Sequence, residues 1–294
     1  MTELEALRRD YPDIAADFTI PQRWESYSER EHATWRALFE QQCQVLPGRA
    51  CREFLAGIAK LDLAPDRIPD FERLSDLLEA QTGWRVVAVP SLVPDDVFFD
   101  HLAARRFPAG RFIRRPDEID YIEEPDVFHD VFGHVPMLAH PMFADYMQAY
   151  GKGGQRALAE FGALKNLARL YWYTVEFGLI RAPEGWHIYG SGIVSSRAES
   201  LYAVESPSPN RIGFDLERVM RTEYRIDDFQ ESYFVIDSFE GLLAETYKDF
   251  AALYAKLAQG PTYRPGDIVT ADRVLTRGTH SYKPGSHLPR SEGQ

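Results

Sequence analysis

Residues 123–136 read EEPDVFHDVFGHVP, the densest cluster of ionisable side chains in the sequence. The stretch holds four carboxylates, two histidines and two prolines. Asp126 follows a proline and is well placed to cap a helix, so residues 127–132 are predicted to form a short one. Each histidine alone would be an ordinary half-buried side chain, but two of them among carboxylates indicate a metal site.

The spacing of the two histidines sets a condition on that metal site. Five residues separate His129 from His134, which places them about 140° apart around an ideal α-helix. The two imidazoles converge on one point only if the helix breaks, and Gly133 with Pro136 is expected to break it. The spacing differs from the His-Glu-x-x-His of zinc proteases, in which the histidines are four residues apart.

Two histidines need at least one further ligand, and the sequence offers two. Residues 170–179 read LYWYTVEFGL, where Glu176 is costly to bury as an ion unless it is paired or bound to metal. One interpretation is a salt bridge to Arg169 or Arg181. Another is a site of two imidazoles and one carboxylate, which suits Fe(II) with open coordination positions. With His140 instead, three histidines would suit zinc.

Composition excludes several functional classes. The chain has 294 residues with 33 Lys and Arg against 45 Asp and Glu, a formal net charge of −12. This acidic balance argues against nucleic acid or an anionic membrane as the main partner. No apolar run approaches the ~18 residues of a membrane span, and no signal-peptide pattern is present. Cys43 and Cys51 are too few for a disulfide scaffold or a Cys₄ metal site, so we expect a cytoplasmic protein.

Hydrophobic periodicity predicts a mainly α chain with small marginal β-strands. The helix over residues 71–82 is expected to end at Gly83, a typical helix terminator. Further helices are predicted over residues 95–106, 157–177 and 239–257. Strands are predicted over residues 84–89, 111–114 and 232–235.

Two motifs together resemble a known family. Residues 129–136 (HDVFGHVP) and residues 171–178 (YWYTVEFG) lie about 40 residues apart and match the aromatic amino acid hydroxylases. Within that family the chain is most similar to the short bacterial phenylalanine 4-hydroxylases. The resemblance runs from about residue 20 to about residue 260, and it implies a single, mainly α catalytic domain.

The resemblance implies an oxidoreductase of phenylalanine catabolism. His129, His134 and Glu176 would hold Fe(II), and a tetrahydropterin cosubstrate would supply two electrons. With O₂, this monooxygenase would hydroxylate L-phenylalanine at the para position to give L-tyrosine. Two alternatives stay open: the same chemistry on L-tryptophan or L-tyrosine, and a zinc hydrolase or metal-binding module that uses His140 as its third ligand.

The family's substrate residues carry over by motif position. Arg114 would grip the carboxylate of the amino acid with two hydrogen bonds, and Asp126 would orient that arginine. The other residues implied to form the substrate pocket are Pro125, His129, Trp172, Gly192 and Ser195.

The pterin residues carry over in the same way. Phe98 would stack on the pterin ring, and Glu124 would lie between the pterin and the iron. Tyr224 is a more distant candidate for the polar network of the iron pocket. The remaining pterin contacts implied by the resemblance are the backbone near Leu92 and Val93, and Asp130, Ala168 and Tyr171.

The resemblance also predicts the domain organisation. Residues 1–20 would be an N-terminal extension, residues 21–260 the catalytic domain, and residues 261–294 a Pro- and Gly-rich tail. We expect neither the N-terminal regulatory domain nor the C-terminal coiled coil of longer relatives, because few residues precede the resemblance and the tail lacks heptads. The expected state is a monomer.

Overall fold

Helices predominate in the computed structural model, which describes residues 3–119, 124–162, 164–283 and 285. About 50% of the chain is helical and 12% forms strands. Within the described part, no helix has the length and apolar character that a membrane crossing requires. The α-helices are α1 (Glu3–Leu7), α2 (Glu29–Val45), α3 (Arg52–Lys60), α4 (Phe71–Thr82), α5 (Asp95–Ala103), α6 (Val135–Leu138), α7 (Pro141–Arg156), α8 (Leu164–Tyr171), α9 (Ser191–Val194), α10 (Arg197–Glu205), α11 (Leu216–Arg221), α12 (Phe239–Glu245) and α13 (Phe250–Gln259).

Shorter elements complete the described chain. The strands are β1 (Arg85–Val89), β2 (Arg106–Gly110), β3 (Leu179–Ala182), β4 (Gly185–Ile188), β5 (Asn210–Gly213), β6 (Ser232–Ile236) and β7 (Val274–Thr276). The π-helical segments are Phe128–His134, Ala157–Phe161 and Trp172–Glu176, and the 3₁₀ turns are Trp24–Ser26 and Pro116–Glu118.

The strands form two sheets. The larger sheet has five strands, which is more β-structure than the small marginal strands that the sequence predicted. β1 pairs with β2 in parallel, and the five-stranded sheet has the order β4-β3-β6-β5-β7. The predicted strand at 232–235 is confirmed as β6, the central strand, with all five residues buried. The other four strands of this sheet are only three or four residues long, and such short stretches carry little period-2 signal. The sequence therefore identified the centre of the sheet but missed its edges.

One predicted strand lies at the wrong position. The expected helix over residues 95–106 ends at Ala103, because Arg105 adopts a left-handed φ of 56° that turns the chain back. The strand that follows is therefore β2, paired with β1, and residues 111–114 form no strand. The other strand of this sheet was predicted at 84–89 and is confirmed as β1.

Capping residues and glycines at the helix ends explain which of the helix predictions are confirmed and which are wrong. The helix over Phe71–Thr82 is confirmed; Asp70 caps its start, and Gly83 ends it with a φ of 76°. The predicted helix over 157–177 is interrupted where Gly162 adopts a φ of 60°. The predicted helix over 239–257 is two helices, α12 and α13, and Asp249 caps the second.

Aromatic packing holds the histidine segment against the core. The rings of Phe128 and Phe132 stack at 4.7 Å, and Trp35 contacts Phe128 edge-on at 5.3 Å. All three side chains are essentially excluded from water. Ile14 and Phe18 near the N-terminus are buried in the same core.

Candidate active site

A π-helix, and not a helix break, brings the two histidines together. Residues 128–134 form a π-helix that runs directly into α6, which holds Pro136 in its first turn. A π-helix bonds residue i to residue i+5, so residues five apart lie close to one face. The Nε2 atoms of His129 and His134 are 3.2 Å apart. The predicted break at Gly133 was wrong, although the predicted convergence of the imidazoles is present.

Gly133 has a different use from the one expected. A Cβ atom at this position would lie 3.0 Å from the carbonyl oxygen of Ser191 and 3.4 Å from the Cβ of Ser195. Glycine therefore lets α9 pack closely against the π-helix. This close approach brings the Ser195 hydroxyl beside His129 and the Ser191 hydroxyl beside Glu176.

Glu176 completes the cluster from the end of a second π-helix. Its Oε1 lies 3.2 Å from His134 Nε2, and its Oε2 lies 3.6 Å from His129 Nε2. The ligand atoms of the three residues all lie within 4.8 Å of one another. The π-helical bond from the Phe177 amide to the Trp172 carbonyl, 2.8 Å long, ends the helix directly after Glu176.

The sequence left open a salt bridge from Glu176 to an arginine and a third histidine ligand, and in the structure these side chains lie elsewhere. Arg169 Nη2 lies 3.6 Å from Glu223, and Arg181 Nε lies 2.9 Å from Asp237, so neither arginine is the partner of Glu176. The ring of His140 packs on Phe239 at 5.1 Å and lies outside the histidine–carboxylate cluster.

Hydrogen bonds orient the cluster for a cation. The Ser195 hydroxyl donates to the Ser191 carbonyl at 2.7 Å, so at 3.0 Å it can only accept from His129 Nδ1. That tautomer leaves the lone pair of His129 on Nε2, which faces the cluster. The Ser191 hydroxyl lies 2.8 Å from Glu176 Oε2.

The electrostatics of the cluster favour metal ligands. Burial lowers the pKa of His129, which keeps the imidazole neutral. Burial opposes ionisation of Glu176, but His134 and the Ser191 hydroxyl lower the pKa of its carboxyl. The neutral imidazole of His129 and the imidazole of His134 thus face the Glu176 carboxylate in a largely buried space. A cation among them would stabilise this arrangement, and the donor set fits the facial triad of non-haem iron.

A buried ion pair adjoins the cluster. Arg114 Nε donates to Asp126 Oδ2 at 2.8 Å, and Arg114 Nη2 donates to Oδ1 at 2.9 Å. Burial of Asp126 opposes its ionisation, but the hydrogen bonds and charge of Arg114 hold its pKa below the usual value. The same carboxylate accepts from the backbone N–H of His129 at 3.0 Å. Asp126 therefore links the arginine to the first histidine of the cluster.

Aromatic rings line another side of the site. The half-buried ring of Trp172 stacks on Tyr224 at 4.4 Å and packs on Phe177 at 4.8 Å. A Cβ at Gly192 would lie 2.9 Å from the ring of Phe177, so glycine is needed for this contact. Pro125 is half-buried at the start of the histidine segment.

A second row of rings reaches the cluster from α5. Phe98 contacts Tyr171 edge-on at 5.8 Å, and the ring of Tyr171 lies 6.3 Å from that of His134, nearly parallel. Asp130 accepts from the backbone N–H of Gly110 at 2.7 Å, and burial raises its pKa to about 7.

The other predicted pterin residues differ in exposure. Leu92 is 70% exposed, whereas Val93 and Ala168 are half-buried. Glu124 is exposed and directly follows residues 120–123, which lie outside the described part. The pterin contacts expected of these residues therefore stay predictions.

The sequence reasoning missed three residues of the site. Ser191 orients Glu176, Phe177 packs on Trp172, and Gln230 accepts a hydrogen bond from Trp172 Nε1 at 2.9 Å. Ser191 stands four residues before Ser195, a helical spacing that could have indicated a shared face. No local pattern could have found Gln230, because it lies 58 residues from its partner.

Comparison with known proteins assigns the family. The model of the biopterin-dependent aromatic amino acid hydroxylases matches residues 2–260. The chain belongs to this family. Among its relatives in the family is a phenylalanine-4-hydroxylase of Caulobacter vibrioides, 63% identical over 271 residues, or 92% of each chain. A phenylalanine-4-hydroxylase of Chromobacterium violaceum is 58% identical over 264 residues, covering 90% of this chain and 89% of that one.

Solved structures of family members share the fold. The phenylalanine hydroxylase of Chromobacterium violaceum with bound oxidized Fe(III) superimposes with a TM-score of 0.88 at 56% identity, covering 94% of this chain and 100% of that one. The same enzyme bound to cobalt gives a TM-score of 0.87 at 58% identity, over 89% of this chain and 94% of that one. This chain therefore has the aromatic amino acid hydroxylase fold.

Ser195→Ala is expected to weaken Fe(II) binding roughly 10- to 100-fold, because the variant loses the acceptor that fixes the tautomer and orientation of His129. Competition with a chelator of known affinity measures this loss. Ser200→Ala is the matched control, since Ser200 is also buried but its hydroxyl donates to the Ile193 carbonyl. Unchanged affinity in Ser195→Ala would show that this hydrogen bond does not orient the ligand.

Proposed function

We propose that this chain is an iron- and tetrahydropterin-dependent monooxygenase that converts L-phenylalanine to L-tyrosine with O₂. The observation that carries the proposal is the cluster of His129, His134 and Glu176, placed beside the buried Arg114–Asp126 pair. Membership of the family and 58–63% identity to bacterial proteins named phenylalanine-4-hydroxylase support the choice of substrate.

His129, His134 and Glu176 would hold the iron. Bound there, iron with the tetrahydropterin supplies O₂ activation and oxygen transfer to an aromatic ring. The protein's own contribution is to hold the Nε2 lone pair of His129 toward the cluster, through Ser195, and to keep the Glu176 carboxylate ionised, through Ser191. The cluster is largely closed to solvent, which protects a reactive centre from water.

Arg114 would bind the carboxylate of the amino acid. Asp126 takes the Nε proton and one Nη2 proton, so the other Nη2 proton and the Nη1 protons are directed away from that ion pair. Among the described residues, Nη1 makes a single long contact, 3.5 Å, to the Ile119 carbonyl. Arg114 therefore keeps planar donors for a second carboxylate. The aromatic ring of the substrate would lie against Pro125, His129 and Trp172, with Gly192 and Ser195 completing the pocket.

The tetrahydropterin would lie on the side of Phe98 and Tyr171. Phe98 would stack on the pterin ring, and backbone groups of Leu92 and Val93 would bind its polar edge. Phe98 is half-buried, which leaves part of its ring free for such a contact. The other proposed residues on this side are Glu124, Asp130, Ala168 and Tyr171, with Tyr224 in the more distant polar network.

Phe98→Ala is expected to raise the KM for tetrahydropterin about 5- to 30-fold, since one stacking aromatic contributes on the order of 1–2 kcal/mol. Steady-state kinetics with varied tetrahydropterin give the KM. Phe161→Ala is a matched control, because Phe161 is also half-buried and packs on one ring, Tyr254, away from the site. An unchanged KM with a large fall in melting temperature would mark Phe98 as part of the core.

A single set of assays tests the function. The iron-loaded protein is incubated with tetrahydropterin, O₂ and L-phenylalanine, L-tryptophan or L-tyrosine, and the hydroxylated products are separated by chromatography. We expect tyrosine from phenylalanine at the highest kcat/KM. Preferred turnover of another ring would correct the substrate, and absence of pterin-dependent product from all three would reject the proposal.

The location and the oligomeric state of the enzyme are proposed from its cysteines and from its C-terminal arm. Cys43 and Cys51 are both free thiols, which fits the reducing cytoplasm. We propose a monomer whose partners are small molecules, with residues 21–260 as the catalytic domain. In support of the monomer, β7 (Val274–Thr276) pairs with β5 of the same chain, so this part of the C-terminal arm is used within the molecule. Size-exclusion chromatography with light scattering tests the oligomeric state.

A further inference from the structure

Gln230 is a buried amide that connects a surface loop to the aromatic wall of the site. Its side chain is 2% exposed, and its Nε2 donates to the carbonyls of Arg225, at 3.0 Å, and Asp228, at 3.4 Å. Only the NH₂ group of an amide can serve two carbonyl acceptors. The orientation of the amide is therefore fixed, and Oε1 faces Trp172 Nε1 at 2.9 Å.

The backbone of Gln230 is itself held from behind. Its N–H donates to Glu199 Oε1 at 3.4 Å, and the Tyr233 hydroxyl donates to the same carboxylate oxygen. Glu199 is 5% exposed and lies on α10, which begins two residues after Ser195. The amide that meets Trp172 is thus anchored to the helix that follows the serine contacts of the metal cluster.

Trp172 needs such an anchor. Its ring lies nearly parallel to Tyr224, at an interplanar angle of 16°, and packs on Phe177 on another side. Stacking between flat rings restricts tilt, but it permits sliding and rotation within the ring plane. A directional N–H···O bond removes that freedom.

We propose that Gln230 is a positioning residue that fixes the indole of Trp172 in its plane and so sets where the substrate ring lies relative to the metal. This inference rests on the proposed function, because Trp172 lines a substrate pocket only if an aromatic amino acid binds there. A misplaced ring receives oxygen poorly, so tetrahydropterin is consumed without hydroxylation. The indole hydrogen bond therefore governs the coupling of pterin oxidation to product formation.

Gln230→Leu tests this role, since it keeps the volume and removes the amide. We expect kcat for tyrosine formation to fall about tenfold, the scale of a small misplacement of reacting groups. Tyrosine formed per tetrahydropterin oxidised should fall at least about twofold, while the KM for tetrahydropterin stays within about twofold of wild type. Gln22→Leu is the matched control: Gln22 also bridges two backbone groups, Pro69 and Phe71, but contacts no residue of the site. The Gln22→Leu variant should form as much tyrosine per tetrahydropterin oxidised as the wild type does.

A double-mutant cycle with Trp172→Phe separates positioning from a general loss of structure. If Gln230 acts through the indole N–H, adding Gln230→Leu to Trp172→Phe should change coupling by less than about twofold. An equal loss in both backgrounds, or full coupling in Gln230→Leu, overturns the inference. Gln230→Met, with a flexible side chain that cores tolerate, replaces the leucine variant if the latter does not fold. Wild-type protein that forms no tyrosine would instead reject the proposed function.

Discussion

Glu176→Ala is expected to bind Fe(II) at least ~100-fold more weakly and to form no detectable tyrosine. Even residues that only orient a ligand alter metal affinity 10- to 100-fold, and Glu176 supplies the one negative charge of the cluster and its third ligand atom. The measurements are iron per chain after gel filtration and tyrosine formation with tetrahydropterin. Loss of both would identify Glu176 as a ligand.

The structure indicates that this variant will still fold. Without the carboxylate, the Ser191 hydroxyl keeps the Val175 carbonyl as an acceptor, 3.0 Å away, so no buried donor is orphaned. The melting temperature of the metal-free variant should stay close to that of metal-free wild type. His140→Ala serves as the control, because His140 lies outside the cluster and its removal should leave the iron content unchanged. A fully loaded, active Glu176→Ala enzyme would exclude Glu176 from the ligand set.

The three residues of the candidate metal cluster could be singled out from the sequence, but their geometry could not. His129 and His134 stand out as a pair of histidines among carboxylates, and Glu176 stands out as an ionisable residue among apolar ones. Their convergence depends on two π-helices, and a π-helix follows from tertiary packing that no local propensity records. The i to i+5 spacing of the histidines therefore indicated a break where the structure has a wider turn.

The same distinction between local and distant contacts explains the fold predictions. The helix over Phe71–Thr82 was correct to the residue because an aspartate cap and a terminal glycine lie within the sequence window. The other four strands of the large sheet were missed because pairing, and not composition, makes them strands: β3 pairs with β6 through only two residues. Likewise, Gln230 reaches Trp172 across 58 residues, beyond any local pattern.

Arg114→Lys is expected to raise the KM for phenylalanine at least about tenfold, equivalent to about 1.4 kcal/mol, with iron content unchanged. The guanidinium makes two parallel bonds to Asp126 and retains further planar donors. An ammonium group has one nitrogen and cannot hold Asp126 in that geometry while it binds a second carboxylate. The measurement is steady-state kinetics on wild type and variant at saturating tetrahydropterin.

Phenethylamine, which lacks the carboxylate, provides the control substrate. It should be poor for wild type and should lose little further activity in Arg114→Lys, because the interaction that the variant weakens is absent from the start. Equal losses on both substrates, or an unchanged KM for phenylalanine, would place the carboxylate elsewhere. Arg111, half-buried, and Arg115, which pairs with Glu118 at 2.9 Å, would then be tested next.

Arg114→Ala separates binding from stability. Asp126 is 0% exposed, and removing its partner leaves a buried carboxylate without a counter-charge. Breaking one side of a buried ion pair costs about 3–5 kcal/mol, so this variant should melt well below wild type, whereas Arg114→Lys keeps a positive charge and should melt closer to it. Asp126 also accepts a hydrogen bond from the His129 N–H, so the loss should extend to iron affinity in Arg114→Ala. A stable, fully iron-loaded Arg114→Ala protein would show that Asp126 holds the first histidine without help from the arginine.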